Sequence, residues 1–471
     1  MAELTRRGAA ALLFGAGLAA AAPAFAQTGL ALPPGFRTPP ARLDSRLRRI
    51  IGRLPAGFEG VLFRNGPAQF ERAGERLGHW FDGDGMVQRF AISNSGIVHR
   101  GRFVDTDKRR DEEEAGRFLY PGFGFQPENM RAPRRNDDVN AANTSVLPMG
   151  DEVWALWEGG SPYQLEADTL NTIGRRNFGG QLDGAPFSAH PKRDPVSGEI
   201  WNFGAFGRHC MIWRLGPDGA VRDSQMIELP QAGLMHDCVI TERSVVLLVP
   251  PFVQTPGRHG ALVDQFEWRP DQPMIALALD KNDLTQQRRF DLPARFLFHF
   301  GNAWEDDAGT IRLDACLYQD ASFAFESARD FASAGSLDAR PTQVTLENGA
   351  GSYAELEGRG EFPRIDPRLV GRRHRYSWGV VPHGIARWDW ESGERRAFSY
   401  GADYHAEEPI YIPRPNGQEG EGWVIATVLN MRADRTELAL FDAARIEDGP
   451  LALYACDYPL PLGFHGAFTP A

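Results

Sequence analysis

The residues of this chain best suited to chemistry are four histidines set in apolar or glycine-rich stretches: His190 in FSAHPKRDP, His236 in GLMHDCVIT, His299 in FLFHFGNAWE and His465 in GFHGAF. Each follows a small or apolar residue, and three lie in runs that read as inward-facing strands or strand ends. Alone, any one of them reads as a hydrogen-bonded core histidine. Together they make a metal-ligand set, provided that the fold brings them to one point. They are too far apart in sequence for a zinc finger or an HExxH motif, whose ligands lie within a few residues of one another, so separate elements must deliver them. Neutral imidazole suits iron, copper and zinc alike, and ligand type alone selects none of the three. His99, His209, His259 and His374 lie beside arginine or polar residues and read as solvated or locally hydrogen-bonded.

A ligating histidine usually gives its other ring N–H to an acceptor that fixes the tautomer. Three carboxylates in apolar or proline-rich surroundings are candidates: Glu158 closing VWALWE, Glu361 in GEFPRID and Glu408 opening EPIYIPRP. A buried carboxylate without a partner costs several kcal/mol, so such residues tend to be paired or protonated. Taken singly, each also reads as a surface glutamate at a strand end. No Ser-His-Asp set and no paired-carboxylate motif accompanies them.

The elements that must position these groups are strands. In 471 residues there are 51 glycines, 34 prolines and 42 % hydrophobic residues, which suits many short strands joined by tight turns. Asp151 to Trp157 reads as a short strand, and Pro217-Asp218-Gly219 reads as the turn of a hairpin. Similar turns fall at Ala308-Gly309 and Ser392-Gly393, and another hairpin spans 422–441. No long linker interrupts the body, and no residue-level repeat counts the units, so sandwiches and a propeller both fit an all-β reading. A net charge of −11 argues against a nucleic-acid partner, which calls for a basic excess. The four cysteines, Cys210, Cys238, Cys316 and Cys456, form no CxxC unit and are expected to be buried free thiols. Residues 1–26 read as a secretory signal ending Ala24-Phe25-Ala26, with Arg6-Arg7 marking the twin-arginine type, so the expected location is the periplasm. A proline-rich leader, 27–40, and a single domain, 41–471, follow. The sequence specifies no oligomeric state.

Between Phe63 and Phe468 the chain carries FRNGP, HWFDGDGM, ANTS, ALWEGG, AHPKRDPVSGE, MHDCVITE, FHFGNAWE, EPIYIPRP and GFHGAF. In that order, and over nearly the whole body, these resemble the successive signatures of the carotenoid cleavage oxygenase family. The resemblance implies an all-β, seven-bladed β-propeller with a loop and short-helix cap over an axial metal site, and one Fe(II) per chain. By match of motif, His190, His236, His299 and His465 become the iron ligands. Glu158, Glu361 and Glu408 become the acceptors behind three of them, and Thr144 in ANTS becomes the residue whose methyl crowds an open position at the metal. The flanking glycines of His465 are expected to let the backbone turn tightly. In HWFDGDGM the family segment is a structural turn, with His79 not a ligand and Gly83 and Gly85 at positive φ.

The implied reaction is oxidative cleavage of a conjugated C=C bond by O2, giving carbonyl products, with isomerisation of a polyene also compatible. Phenol-cleaving members resemble one another in having a lysine before the first of these glutamates and a tyrosine in the preceding loop. Here Trp157 stands before Glu158, and the loop FLYPGFGFQP offers Phe123 and Phe125, with Tyr120 slightly upstream. An apolar carotenoid or apocarotenoid is therefore the expected substrate, a phenolic stilbene or vinylphenol the alternative, and a non-catalytic propeller that binds a polyene the alternative of another class. The segment 118–125 is expected to rim the tunnel mouth and touch a membrane surface transiently.

Overall fold

The computed structural model describes residues 32–329 and 338–471; the signal expected at 1–26 lies outside the described residues. The architecture is all-β and propeller-like, made of antiparallel meanders in sequence order. Ser145–Met149, Glu152–Leu156, Tyr163–Glu166 and Thr172–Arg175 form one four-stranded sheet, and Lys192–Arg193, Ile200–Phe206, His209–Leu215 and Val221–Glu228 form the next. An eight-stranded sheet follows. It consists of a meander from Val239–Ile240 to Gln287–Leu292 and a second from Phe296–Glu305 to Ala350–Glu355, joined through the single parallel pair Asp291 and Ala350. A further four-stranded sheet runs from Glu361–Arg364 to Arg395–Ser399.

The remaining two large sheets are built from both ends of the chain. Gly466–Pro470 pairs with Gly60–Gln69, setting Gly466 opposite Arg64, and that sheet continues through Asp84–Ser93 and Gly96–Phe103 to Arg42–Arg46. Arg48–Gly52 pairs with Ala452–Ala455 at the edge of the sheet that holds Gly422–Asn430 and Arg435–Asp442. The two ends are thus locked into the same ring, and opening it exposes two strand pairs at once. Leu32 and Phe36 of the leader are buried too, with the Phe36 ring edge-on to Phe70 and Trp80.

Neighbouring sheets meet through large side chains. Trp378 stacks on Tyr411 at 4.2 Å and 15°, and Trp213 packs between Phe178 and Phe187. The turn at Pro217-Asp218-Gly219 joins two paired strands, and Gly219 has φ +75°, as a tight turn of this kind demands. All four cysteines are buried and free. Among the described residues, the α-helices are Asp107–Ala115 and Ser322–Phe325, and no helix is long and apolar enough to cross a membrane.

The glycines of HWFDGDGM work differently from the sequence expectation. Gly83 has φ −63°, and Gly85 is not in the left-handed region either. A Cβ on Gly85 would lie 2.1 Å from the carbonyl oxygen of Ala142, so the glycine permits the strand to pass directly against the segment leading to Thr144. The acidic pair is fully engaged, Asp82 by the N–H of Gly124 and Asp84 by Lys108 and Arg72. Gly85→Ala is expected to cost about 3 kcal/mol, the upper end for overpacking. Gly78→Ala, where no atom lies within 4 Å, should leave the midpoint of chemical denaturation in place. Equal midpoints for the two variants would refute the close-approach role.

Candidate metal centre

Most site residues sit on or just before a separate strand, which is why their sequence spacing is irregular; Glu158 instead follows Glu152–Leu156. Thr144 precedes Ser145–Met149, His190 precedes Lys192–Arg193, and His236 precedes Val239–Ile240. His299 lies inside Phe296–Glu305, Glu361 opens Glu361–Arg364, Glu408 precedes Ile410–Pro413, and His465 precedes Gly466–Pro470. Most of these are edge strands of their sheets, and the residues on them converge. The ligand atoms of His190, His236, His299 and His465 all lie within 4.8 Å of one another.

The imidazoles converge through Nε2. His190 and His236 approach to 2.9 Å, His236 and His299 to 3.1 Å, and His299 and His465 to 3.1 Å. Their other nitrogens face carboxylates. His299 Nδ1 lies 2.5 Å from Glu361 Oε2, His465 Nδ1 lies 2.9 Å from Glu408 Oε1, and His236 Nδ1 lies 3.1 Å from Glu158 Oε1. With Nδ1–H donated outward, each of these rings turns an Nε2 lone pair toward the others. Lone pairs about 3 Å apart repel unless a cation stands among them. Bonds of about 2.0–2.1 Å at right angles set neighbouring nitrogens about 2.9 Å apart, so the observed spacing fits a single first-row metal ion.

Protonation states follow from burial. Burial drives His190 and His299 well below the usual imidazole range, with the neighbouring imidazoles adding to it, and takes His465 down to about 4. Burial also acts to lower His236, but the carboxylates of Glu158, Asp237 and Glu361 together raise that ring. Glu408 is buried as well, yet Arg364, His465 and Arg64 hold it at about 2, an ionised acceptor. Glu361 lacks such cations, and burial pushes it up to about 8.

Local backbone geometry serves these contacts. Phe362 has φ 53°, a strained value for a non-glycine residue, and it directs its N–H onto Glu361 Oε2 at 2.6 Å while its ring stacks on His299. The glycines around His465 do not turn the chain through positive φ, as expected from sequence; they let strands touch. A Cβ on Gly466 would lie 2.6 Å from the Phe63 carbonyl oxygen, and one on Gly66 would lie 2.4 Å from the Gly463 Cα.

A cavity of about 120 Å³ opens over the imidazoles. Phe81, Phe123, Trp157, Leu234, Phe298 and Phe323 form much of its apolar wall, and Thr144, Glu158 and Tyr318 also line it. Thr144 is buried and gives its hydroxyl proton to Asn143 Oδ1 at 3.0 Å, while Asn143 Nδ2 donates to the carbonyls of Phe81 and Gly83. Sequence reasoning missed Asn143, Phe298 and Tyr318 as wall residues, although the first two stand beside singled-out residues in ANTS and FHFGNAWE.

Two candidate wall residues lie elsewhere. Tyr120 is buried against Leu119 and Val139 on the far side of Trp157, its hydroxyl donating to Asp111 Oδ2 at 2.5 Å. Phe125 packs edge-on against Phe118 at 5.6 Å instead of entering the cavity. The segment 118–125 therefore faces inward, with Phe118, Leu119 and Tyr120 buried, and does not form the exposed apolar rim expected of it. Its anchor is the helix Asp107–Ala115, whose Glu112 takes the N–H groups of Leu119 and Tyr120. His79 is structural, as anticipated: Nδ1 accepts the N–H of Phe81 and Nε2–H donates to the Ala324 carbonyl.

These features define a class, a propeller-like protein that offers four imidazole nitrogens to one metal ion at the foot of an apolar cavity. The family model described as Retinal pigment epithelial membrane protein matches residues 36–470. The chain is 31 % identical over 477 residues to apocarotenoid-15,15'-oxygenase of Synechocystis sp., covering 92 % of this chain and 95 % of that protein. It is 29 % identical over 459 residues to lignostilbene-alpha,beta-dioxygenase isozyme III of Sphingomonas paucimobilis, covering 90 % and 93 %. A solved variant of the Synechocystis apocarotenoid oxygenase superposes with a TM-score of 0.85 at 28 % identity, covering 93 % of this chain and 98 % of that one. The chain therefore belongs to the retinal pigment epithelial membrane protein family, that of the carotenoid cleavage oxygenases, and is a dioxygenase-like enzyme.

The glutamates are not equivalent. Glu408 uses one oxygen for His465 Nδ1 and the other for the Gly466 N–H at 2.8 Å, so an amide can satisfy only one of these donors. Glu361 Oε2 serves both His299 Nδ1 and the Phe362 N–H, which a single amide oxygen can still do. Glu408→Gln should therefore weaken metal binding toward the hundredfold end of the usual 10–100-fold range, about, and Glu361→Gln toward the tenfold end. Titration against a chelator checks the order, and a larger loss for Glu361→Gln would contradict it.

Proposed function

We propose that this chain is a non-haem Fe(II) oxygenase that cleaves a conjugated C=C bond of a carotenoid or apocarotenoid with O2, releasing carbonyl products. His190, His236, His299 and His465 hold one iron per chain. The observation that carries the reading is the set of convergent Nε2 atoms beneath a cavity whose wall, among the described residues, contains no lysine or arginine. Taking the eight-stranded sheet as two blades and each other large sheet as one gives a seven-bladed propeller with the iron on its axis.

When bound, Fe(II) supplies the electrons that activate O2 toward an alkene. The chain's own residues do the rest. Glu158, Glu361 and Glu408 keep three Nδ1 protons in place, which fixes the rings and makes them better donors. Thr144, its hydroxyl tied to Asn143, presents its remaining bulk to the reaction space and narrows it. The aromatic wall holds the polyene, gaining about 25 cal/mol per Å² of apolar surface buried, and excludes water from the bond to be cleaved. No side chain acts as a nucleophile or general acid.

A second reading, cleavage of a phenolic stilbene, draws on Tyr318, a buried hydroxyl in the cavity wall, and on the likeness to the Sphingomonas lignostilbene dioxygenase. Iron-loaded protein given an apocarotenal and a 4-hydroxystilbene is expected to show the higher kcat/KM for the apocarotenal, and chelation should abolish turnover of both. Preference for the stilbene would replace the first reading with the second; full activity after complete chelation would remove both.

The proposal includes export. Residues 1–26 carry the protein to the periplasm in folded form by the twin-arginine route. Fractionation should find a chain beginning at Gln27 in the periplasm, and Arg6→Lys with Arg7→Lys should hold the precursor inside. A full-length protein retained in the cytoplasm would refute export.

A further inference from the structure

Three of the four imidazoles have a glutamate at Nδ1, and among the described residues His190 has none within hydrogen-bond distance. Its nearest carboxylate contact at that nitrogen is Asp237 Oδ1, 3.9 Å away. Asp237 follows His236 directly, and only 2 % of its side chain is exposed. Oδ1 lies 2.8 Å from Lys192 Nζ, two residues beyond His190, and takes the N–H of Cys238 at 2.7 Å. Oδ2 takes the N–H of Phe300, the residue after His299, at 3.0 Å. On the other side of the same turn, Cys238 Sγ lies 3.8 Å from the His190 carbonyl oxygen. One buried carboxylate therefore joins the chain beside His190, His236 and His299.

We propose that Asp237, held by Lys192, is a positioning residue for the metal centre: it sets the spacing of these three imidazoles and supplies at His190 the negative charge that the other rings receive from glutamate. The inference rests on the reading of the four histidines as ligands of one ion. Charge-assisted hydrogen bonds to buried donors are short and directional, so they fix the relative positions of the three segments more firmly than apolar packing does. At 3.9 Å the carboxylate acts on His190 through its charge and not through a direct hydrogen bond. Both oxygens accept, and every partner is a donor. An asparagine would have to turn its NH₂ toward Phe300 N–H on one side, or toward Lys192 and Cys238 N–H on the other. In either orientation donor faces donor and the segments separate.

The test uses the full chain with Co(II) as the probe ion, in the wild type, Asp237→Asn and Lys192→Met. Three quantities are measured: Co(II) affinity by competition with a chelator, the ligand-field spectrum of the Co(II) protein, and the thermal midpoint of the metal-free protein. Asp237→Asn is expected to weaken Co(II) binding about 10–100-fold and to shift the ligand-field bands. Lys192→Met should produce a smaller loss with a shift in the same direction. A fall in the metal-free midpoint with unchanged affinity and spectrum would mean that Asp237 only stabilises the fold, and would overturn the proposal. Should Asp237→Asn fail to fold, Lys192→Met decides alone, since its side chain is 20 % exposed and its removal leaves both backbone bonds of Asp237 intact; an unchanged affinity and spectrum there also overturns it. A wild type that binds no Co(II) overturns the metal reading itself, an outcome distinct from equal binding by wild type and variants.

Discussion

Donation of Nδ1–H to a buried carboxylate is the constraint from which the rest of the centre follows. It fixes the tautomer of His236, His299 and His465, and fixing the tautomer turns their Nε2 lone pairs toward one another at 3.1 Å. That arrangement is favourable around a cation. Keeping it requires walls that do not yield. The histidines and their carboxylates stand on different meanders, and separating the lone pairs would mean moving whole sheets against one another.

Closure of the ring by both chain ends is what makes His465 rigid. The last strand adds to Gly60–Gln69, and the residues around His465 are clamped from several directions: Asn65 gives its N–H to the His465 carbonyl, and Arg64 Nη1 donates to the Glu408 carbonyl. Arg64 is itself paired with Glu407, whose Oε1 takes the Gly463 N–H. A buried ion pair adds little net stability, because desolvation offsets most of its attraction. Its value here is geometric, since it ties the ligand segment and the segment carrying Glu408 to the strand Gly60–Gln69. The glycines complete the clamp by letting backbone meet backbone where any Cβ would intrude.

Much of this was legible from residue types. The strand Glu152–Leu156, the turn at Gly219 and the buried cysteines follow from local chemistry, and the motif order pointed to the family that the comparisons bear out. The blade count was not legible, because inserted pieces such as the paired strands Phe252–Gln254 and Phe266–Trp268 destroy any fixed spacing between meanders. Glycine was misread for a physical reason: positive φ and close approach both select a residue without Cβ, and a sequence does not distinguish them. Tyr120 was misplaced because its partner, Asp111, stands on a helix that all-β patterning did not anticipate. Asp237 was quoted within a motif yet passed over, since its partners Lys192 and Phe300 come together only in three dimensions.

The same carboxylates that orient the metal ligands bear on what the cavity accepts. Glu158 is a third exposed and lines the cavity, and Glu361 lines it as well, while no lysine or arginine among the described residues does. A phenolic oxygen entering such a space meets no lysine or arginine among the described wall residues, and its hydroxyl needs a partner, for which Tyr318 is the wall residue able to offer one. A polyene needs neither. Under the proposed function its binding would be driven by the apolar wall, and nothing in it would compete for the glutamate oxygens that the imidazoles use, so the wall that favours a polyene and the carboxylates that orient the ligands would not conflict.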